Sequence, residues 1–232
     1  MKKVILASAF VLALDGASQA ADVTEPMPAG YNWSGFYIGG QVGWQWLEGD
    51  FEDPAYEGGI GTDYSDDGFV GGGHVGFNYQ MDAIVLGVEA DIEGVDGEAK
   101  ATDTSSFDDT VTGRASIDLQ GSIRARLGWA RDNLLVYATG GYAWADGDFS
   151  YTLENTGVTD DFSETIDGWT VGGGLEYGFS DNISTRIEYR YTDYSEASGD
   201  ITKCCAGPPN AQDHDLDTHT VRLGITYRFF TK

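Results

Sequence analysis

The chain has 232 residues, of which 41% are hydrophobic and 13% aromatic, with 33 glycines and a formal net charge of -25. Its 13 lysines and arginines are too few to displace counterions from a polyanion, so the composition excludes nucleic acid as a partner. The two cysteines are adjacent, which excludes the separated crosslinks of a small disulfide-built secreted domain.

The first residues have the pattern of a secretory signal peptide. Two lysines precede an apolar run over residues 4–14, and small residues follow up to Ala20. The run is shorter than the roughly 20 apolar residues that a membrane-spanning helix needs. We predict that residues 1–20 are a cleaved signal peptide, that residues 21–32 are a periplasmic lead-in without a fold of its own, and that residues 33–232 form the folded domain.

Eight segments of the remaining chain alternate apolar and polar residues with a period of two, which is typical of β-strands with one apolar face. In chain order the apolar faces begin at Phe36, Phe69, Ile84, Ala115, Leu134, Trp169, Ile183 and Val221. In the fourth segment, the alternation predicts that Ile117 faces outward and that Arg114 and Asp118 face inward.

The last segment distinguishes a soluble fold from a membrane barrel. Apolar residues from Val221 to Phe229 share one face, and Arg222 and Arg228 lie on the other. A soluble sandwich core would have to bury these two arginines without evident partners, which is costly. A membrane β-barrel has an apolar exterior and a polar interior, so it accommodates both faces.

The connections between the segments predict the topology. Three are short polar turns, at residues 80–82, 131–133 and 180–182, and four are long, at residues 47–67, 94–112, 146–163 and 195–217. Short turns are typical of the periplasmic side of outer-membrane barrels. The sequence therefore predicts an all-β fold, an eight-stranded antiparallel transmembrane β-barrel with short periplasmic turns and four long extracellular loops.

The predicted interior face carries charges of both signs. The set comprises Glu89, Asp91, Glu93, Arg114, Asp118, Arg124, Arg126, Glu176, Arg186, Glu188, Arg190, Arg222 and Arg228. Two interpretations are open: an ion-conducting pore that is selective through its arginines, and a salt-bridged plug. We favour the plug, because an eight-stranded barrel is only just wide enough for side chains to fill, whereas open porins use about 16 to 18 strands.

The four predicted loops hold 23 of the 38 aspartates and glutamates. Two interpretations are open. These acids keep the surface hydrated and variable, or an acidic run such as residues 63–67 recruits divalent cations that bridge to lipopolysaccharide.

In the fourth loop, two interpretations of the cysteines are open: Cys204 and Cys205 form a local disulfide, or they bind metal together with His214. We favour the disulfide and predict no metal site, since one histidine does not complete a zinc ligand set.

An enzymatic barrel would need a histidine base. We expect His74 and His219 to face inward, and His74 has no serine among its inward neighbours. The chain also lacks a Gly-x-Ser-x-Gly elbow. We therefore favour satisfied interior histidines and predict no enzyme and no cofactor. Haem binding is an alternative, for which His214 is the candidate ligand.

Three segments carry a resemblance to a known family. They are residues 33–40 (Trp-Ser-Gly-Phe-Tyr-Ile-Gly-Gly), residues 121–128 (Gly-Ser-Ile-Arg-Ala-Arg-Leu-Gly) and residues 221–229. Over nearly its whole length, the chain resembles the OmpA-like, porin-family surface barrels of Gram-negative bacteria. The resemblance implies an abundant structural and antigenic protein that the barrel-assembly machinery inserts. It also implies an assembly signal formed by Arg222, Gly224, Tyr227 and Phe229, although family members commonly end at the final aromatic residue and here residues 230–232 follow.

We expect the protein to be a monomer in contact with outer-membrane lipid and lipopolysaccharide. On this interpretation it contributes to envelope integrity and displays its loops at the cell surface. The alternatives are a small-solute porin, a receptor or adhesin that binds ligands through its loops, and a lipid-modifying enzyme.

Overall fold

The computed structural model describes residues 31–52, 62–96, 98–105, 109–153, 158–194 and 213–229. Within these ranges the chain forms nine β-strands. They are β1 (Gly35–Glu52), β2 (Thr62–Met81), β3 (Ile84–Asp96), β4 (Glu98–Ser105), β5 (Asp109–Arg131), β6 (Leu134–Leu153), β7 (Val158–Ser180), β8 (Ile183–Tyr194) and β9 (Asp213–Arg228). No helix in the described ranges is long and apolar enough to cross a membrane.

The strands close into one barrel. β1 pairs antiparallel with both β2 and β9, and the ladder continues from β9 through β8, β7 and β6 to β5. β3 and β4 both pair with β5, one after the other along its length, so together they occupy one position in the wall. Because β2 pairs with β3, the wall is continuous around eight positions. This result confirms the predicted eight-stranded antiparallel barrel.

Three tight turns join β2 to β3, β5 to β6 and β7 to β8 at one end of the barrel, which we call the turn end. Asp82 and Asp132 each have a φ of 53° there. Aspartate tolerates this left-handed conformation because its short side chain can hydrogen-bond to the nearby backbone. In outer-membrane barrels the end with short turns is periplasmic, and we call the opposite end the loop end.

At the loop end the strands are longer than the sequence predicts. The β1–β2 ladder continues to Phe51 opposite Thr62, and the β6–β7 ladder continues to Leu153 opposite Val158. The predicted boundaries of all four loops are therefore wrong. Much of residues 47–67, 94–112 and 146–163 is paired strand, and β9 already begins within residues 195–217. Main-chain hydrogen bonds hold an antiparallel hairpin together beyond the membrane, where neither face has to be apolar.

The wall divides into two groups of strands at the loop end. The β2–β3 ladder ends at Phe69 opposite Asp96, whereas β2 continues to Thr62 alongside β1. β4 pairs with β5, and within the described residues no ladder joins β4 to β2. The β7–β8 ladder is described as far as Gly168 opposite Tyr194, the last described residue of β8. We call β9, β1 and β2 the first leaf and β4 to β7 the second leaf.

The outer surface of the barrel is apolar between two belts of aromatic side chains. The belt near the turn end contains Phe36, Tyr79, Trp129, Tyr177, Phe179, Tyr227 and Phe229, and the belt near the loop end contains Trp44, Trp46, Phe69, Tyr142, Trp169 and Tyr189. In β1 the belts are ten residues apart, from Phe36 to Trp46. At a rise of roughly 3.3 Å per residue and a tilt of about 40°, this distance corresponds to an apolar band about 25 Å tall.

A register shift in β5 corrects the predicted facing of two residues. Opposite β6, Ile117 pairs with Gly147 and Leu119 pairs with Asp146, so Asp118 is an extra residue without a partner in β6. Ile117 is buried and Asp118 is exposed, the reverse of the prediction. A one-residue bulge exchanges the two faces of a strand, because side chains alternate with a period of two.

Candidate functional site

The barrel interior is the candidate site, and it consists of three layers along the barrel axis. An apolar cluster at the turn end contains Tyr31, Trp33, Val85, Ala130, Leu135 and Tyr137. A second apolar cluster toward the loop end contains Ile117, Ala143, Ala145, Ile166 and Tyr194, with Leu47, Val95 and Leu216 packed against it. Charged side chains lie between the two clusters.

The residues that precede β1 close the turn end. Trp33 is fully buried, and its ring centroid lies 4.4 Å from that of Tyr31. The Trp33 backbone N–H donates to Gln80 Oε1 at 2.8 Å, and the Gln80 N–H donates to Ser34 Oγ at 3.0 Å. Burial raises the pKa of the Tyr31 phenol, while the nearby guanidinium of Arg228 acts in the opposite direction. We call residues 31–34 the cap.

Tyr31 falls within the predicted lead-in without a fold, so the cap is not among the features predicted from the sequence. A signal was present, because Tyr31 and Trp33 continue the inward alternation of Gly35 and Tyr37. The signal peptide and the rest of the lead-in, residues 1–30, lie outside the described residues, so their boundaries stay predictions.

Eleven of the thirteen predicted interior charges lie inside the barrel, each at most 5% exposed. They are the arginines Arg124, Arg126, Arg186, Arg190, Arg222 and Arg228 and the carboxylates Glu89, Asp91, Glu93, Glu176 and Glu188. Asp118 faces outward, as described above. Arg114 lies in β5, but its side chain lies outside the described part of the structure.

Two bidentate ion pairs cross the interior. Arg190 of β8 donates from Nη1 to Asp91 Oδ1 and from Nη2 to Asp91 Oδ2, at 3.0 Å each. Arg222 of β9 donates from Nε to Glu93 Oε1 at 2.7 Å and from Nη2 to Glu93 Oε2 at 2.6 Å. Paired N–H···O bonds of this kind fix orientation as well as distance. The two pairs therefore tie β3 to strands that are not its neighbours in the wall.

Glu89 and Glu188 connect the remaining central arginines. Glu89 accepts hydrogen bonds at 2.5 Å from Arg124 and Arg186 and at 2.8 Å from the Tyr37 hydroxyl. Glu188 accepts from Arg124 at 2.8 Å and from the Tyr137 hydroxyl at 3.0 Å. Each carboxylate is thus shared by several donors, which compensates for the loss of water around buried charges.

Glu176 forms a separate group nearer the turn end. Its Oε2 accepts from Arg126 Nη2, and its Oε1 accepts from Ser184 at 2.5 Å and from Arg228 Nη2 at 3.2 Å. The guanidinium carbon of Arg228 lies 4.8 Å from the centre of the Trp33 ring. The cap and the charged layer are therefore in contact through Arg228.

Neutral polar residues complete the charged layer. Gln41 donates to Glu93 at 2.7 Å and accepts from Arg186 at 2.5 Å, and Gln120 donates to both Gln45 and Glu93 at 3.0 Å. These residues are not in the predicted site, because the prediction rests on charged residues alone. Their inward alternation in the strands was the available signal.

The two described histidine side chains lie on opposite faces of the wall. His74 is buried inside, and its Nε2 lies 2.9 Å from Thr226 Oγ1. His219 faces outward, with Nδ1 2.6 Å from the Tyr189 hydroxyl and Nε2 3.4 Å from Asp217 Oδ2. The prediction that His219 faces inward is wrong, because His219 shares the alternation of Val221 and the β8–β9 ladder has no register shift.

The remaining predicted ligands are outside the described part of the chain. Cys204 and Cys205 are not described, and neither is the side chain of His214. Among the described side chains, no group of three or more histidines, cysteines and acids is placed to hold a metal ion.

The predicted assembly residues occupy both faces of β9. Tyr227 and Phe229 face outward with ring centroids 5.1 Å apart, and the Phe229 N–H donates to the Phe36 carbonyl at 2.8 Å. Arg222 and Gly224 face inward, and a Cβ at Gly224 would lie 3.2 Å from the Arg186 side chain. Close packing against Arg186 therefore explains why position 224 is a glycine, whether or not Gly224 is part of an assembly signal.

Comparison with known proteins gives matches over nearly the whole chain. Residues 6–229 match the family model described as an outer membrane protein beta-barrel domain. The 25 kDa outer-membrane immunogenic protein of Brucella abortus biovar 1 (strain 9-941) is 33% identical over 238 residues, which cover 99% of both chains. The 22 kDa outer membrane protein of Rhizobium leguminosarum bv. viciae is 34% identical over 204 residues, 87% of this chain and 80% of the relative.

Solved structures support the fold. The outer membrane protein OprG from Pseudomonas aeruginosa matches with a TM-score of 0.55 and 14% identity, over 85% of this chain and 97% of OprG. The outer membrane protease OmpT from Escherichia coli matches with a TM-score of 0.54 and 9% identity, over 84% and 97% of the two chains. At these identities the likeness concerns the barrel architecture alone.

Proposed function

The chain belongs to the family of outer membrane protein beta-barrel domains, and from this premise we propose that it is a structural barrel of the outer membrane. In this role it contributes to the integrity of the cell envelope and displays its loop end at the surface. Its interior is filled by side chains and does not conduct solutes.

One observation carries this proposal: ion pairs join opposite walls of the barrel. β3 and β8 are four positions apart among the eight positions of the wall. Arg190 and Arg186 of β8 nevertheless reach Asp91 and Glu89 of β3 at 3.0 Å and 2.5 Å. An interior that held a continuous water column could not have direct side-chain contacts across its full width.

The two apolar clusters support the same function. The cap cluster lies on the periplasmic side of the charges, and the cluster around Tyr194 lies on the extracellular side. A hydrated ion on its way through the barrel would have to pass both clusters, and apolar constrictions close pores by excluding water. These clusters favour a structural role over the alternative of a small-solute porin.

The display role rests on the strands that extend past the loop-end aromatic belt. The first and second leaves carry the polypeptide beyond the apolar band, into the region where the sequence concentrates its acidic residues. Relatives from Brucella are named as immunogenic outer-membrane proteins. On this proposal the protein contacts lipid and lipopolysaccharide as a monomer, and receptor or haem-binding activity of the loops is not required.

We also propose that the barrel is not an enzyme. His74 contacts Thr226 and lies between two apolar clusters, where lipid headgroups do not reach. His219 faces outward and contacts Tyr189. Neither described histidine side chain forms a hydrogen bond with a serine.

The test combines conductance with envelope integrity. We expect the purified protein in planar bilayers to give only small or irregular current steps. We also expect a deletion strain to become sensitive to detergent and chelator. The double variant Trp33→Ala, Tyr194→Ala removes one large aromatic ring from each apolar cluster, so it should conduct more than the wild type. A steady, large and reproducible channel in the wild type, with normal envelope integrity in the deletion strain, would instead establish a porin.

A further inference from the structure

Among the side chains that the structure describes, the charges of the interior do not cancel evenly. Four arginines (Arg124, Arg186, Arg190 and Arg222) form their close ion pairs with four carboxylates (Glu89, Asp91, Glu93 and Glu188), which is a neutral set. The other two arginines, Arg126 and Arg228, share the single carboxylate of Glu176. Two positive charges against one negative charge leave a net charge of +1 in this group. The excess therefore lies next to the cap.

Hydrogen-bond donors are also in excess in this group. Nε and Nη1 of Arg126, Nε and Nη1 of Arg228, and Nε1 of Trp33 are buried without a hydrogen-bond acceptor among the described residues. Arg126 Nη1 approaches Glu89 Oε2 only to 3.8 Å, beyond hydrogen-bonding distance. Both oxygens of Glu176 already accept hydrogen bonds. The arginines of the neutral set have fewer unpaired donors. Arg124, Arg190 and Arg222 each have one buried nitrogen without a hydrogen-bond acceptor, and Arg186 has none.

The aromatic rings around Arg228 do not supply the missing acceptor. The Trp33, Tyr31 and Tyr37 ring centres lie 4.8, 5.2 and 5.8 Å from its guanidinium carbon. Such rings attract a cation through their electron-rich faces, but they carry no negative charge. Trp33 instead adds a donor, the indole N–H. A buried donor without an acceptor and a buried charge without a counter-charge both destabilise the fold, so native structures usually supply a partner for each.

We propose that a small inorganic anion of the halide class binds beneath the cap, held by the guanidinium groups of Arg126 and Arg228 and by the indole N–H of Trp33. The anion neutralises the group around Glu176 and accepts the donors that the protein leaves unpaired. This site goes beyond the structural role proposed above, and the two can fail independently, because an occupied site does not require conductance.

Crystallography with bromide tests the site directly. Bromide replaces chloride in halide sites and gives an anomalous signal. We expect an anomalous peak within hydrogen-bonding distance of Arg126 or Arg228 in the wild-type protein crystallised in sodium bromide. A map without a peak there would overturn the proposal. So would a carboxylate in that place from residues 1–30 or 230–232, which precede and follow the described residues in the sequence.

Thermal stability in detergent gives a second readout. The midpoint of the heat-modifiable gel shift should be higher in sodium chloride than in sodium gluconate at equal ionic strength. Arg228→Gln makes the group around Glu176 neutral, so this variant should lose both the bromide peak and the chloride dependence. Arg131→Gln removes an exposed arginine near a turn and should keep both. Equal midpoints in the two salts for the wild type would contradict the proposal even if Arg228→Gln fails to fold.

Discussion

Arg190 and Asp91 stand on opposite walls of the barrel and are joined by two hydrogen bonds of 3.0 Å each. Both side chains are at most 5% exposed. The pair therefore connects β8 to β3 across the interior. Substituting its two members separately and together tests how much this connection stabilises the barrel.

Asp91→Asn should destabilise the barrel strongly, because it leaves Arg190 buried with a weaker, neutral partner. Breaking a buried ion pair by removing one member typically costs about 3–5 kcal/mol. The free energy of unfolding in urea, measured by tryptophan fluorescence in micelles, gives this quantity. The matched control is Asp132→Asn at an exposed turn, where asparagine tolerates the same φ of 53° and a change within about 0.5 kcal/mol is expected.

Replacing both members should cost less than Asp91→Asn alone. The variant Asp91→Leu, Arg190→Met has an apolar pair of similar volume, and such replacements are often nearly neutral. Ser122 and Arg124 also lose a hydrogen bond to Asp91, but Arg124 keeps Glu89 and Glu188 as charged partners. An unfolding free energy for the double variant equal to that of Asp91→Asn would show that the pair is not the source of the loss.

Gly178 should tolerate no side chain while the cap is in place. A Cβ at Gly178 would clash with the ring of Tyr31. Gly178→Ala should therefore lower the unfolding free energy by about 1–3 kcal/mol, as overpacking does. Gly140→Ala is the control, since a Cβ there meets its nearest atoms at 3.7 Å, an ordinary contact distance.

The same clash predicts coupling between Gly178 and Tyr31. In a background that already carries Tyr31→Ala, Gly178→Ala should have little further effect on the unfolding free energy. Additive losses from the two substitutions would mean that Tyr31 does not pack against Gly178.

Removing the Trp33 ring should open the periplasmic end to reagents. Leu135 belongs to the cap cluster and is fully buried, so a cysteine there should react slowly with a maleimide. In a background with Cys204 and Cys205 replaced by serine, Trp33→Ala should increase the labelling rate of Leu135→Cys at least about tenfold. A tenfold increase corresponds to an activation free energy of labelling lower by about 1.4 kcal/mol. A cysteine at Ala143, in the other apolar cluster, should label equally slowly with and without Trp33.

Phe229 is predicted to carry the final aromatic of the assembly signal. Phe229→Ala should therefore reduce the yield in the outer membrane more than deletion of residues 230–232 does. The amount of heat-modifiable protein in purified outer membranes measures this yield. Ile225→Ala, which removes another outward-facing apolar side chain of β9, controls for lost contact with lipid. Equal defects in the first two variants would place the signal elsewhere.

The wall of the barrel could be predicted because lipid acts on one face of every strand. The two-residue period holds in the eight segments except at the bulge in β5, so the number of wall positions and most of the facing followed from the sequence. The bulge at Asp118 could not be predicted by the same reasoning. Ile117, Asp118 and Leu119 alternate as apolar, polar and apolar, and this pattern is identical with or without an extra residue in the ladder.

The interior was predictable in composition and not in pairing. The charged residues of the inward face could be named from the alternation, yet the partner of each depends on the stagger of the strands around the barrel. Arg190 meets Asp91, 99 positions earlier in the chain, and nothing in either local sequence selects that partner. The cap was not predicted for a different reason: Tyr31 and Trp33 continue the inward alternation of β1, but the predicted apolar face of the first segment begins only at Phe36.

The division of the loop end into two leaves has a consequence for how this end of the protein can vary in sequence. The β2–β3 ladder stops at Phe69 opposite Asp96, and within the described residues β2 and β4 share no ladder beyond that point. A substitution in one leaf therefore leaves the main-chain hydrogen bonds of the other leaf intact. Exposed residues of the two leaves can thus vary separately, and an insertion in one leaf should leave the strand pairing of the other unchanged.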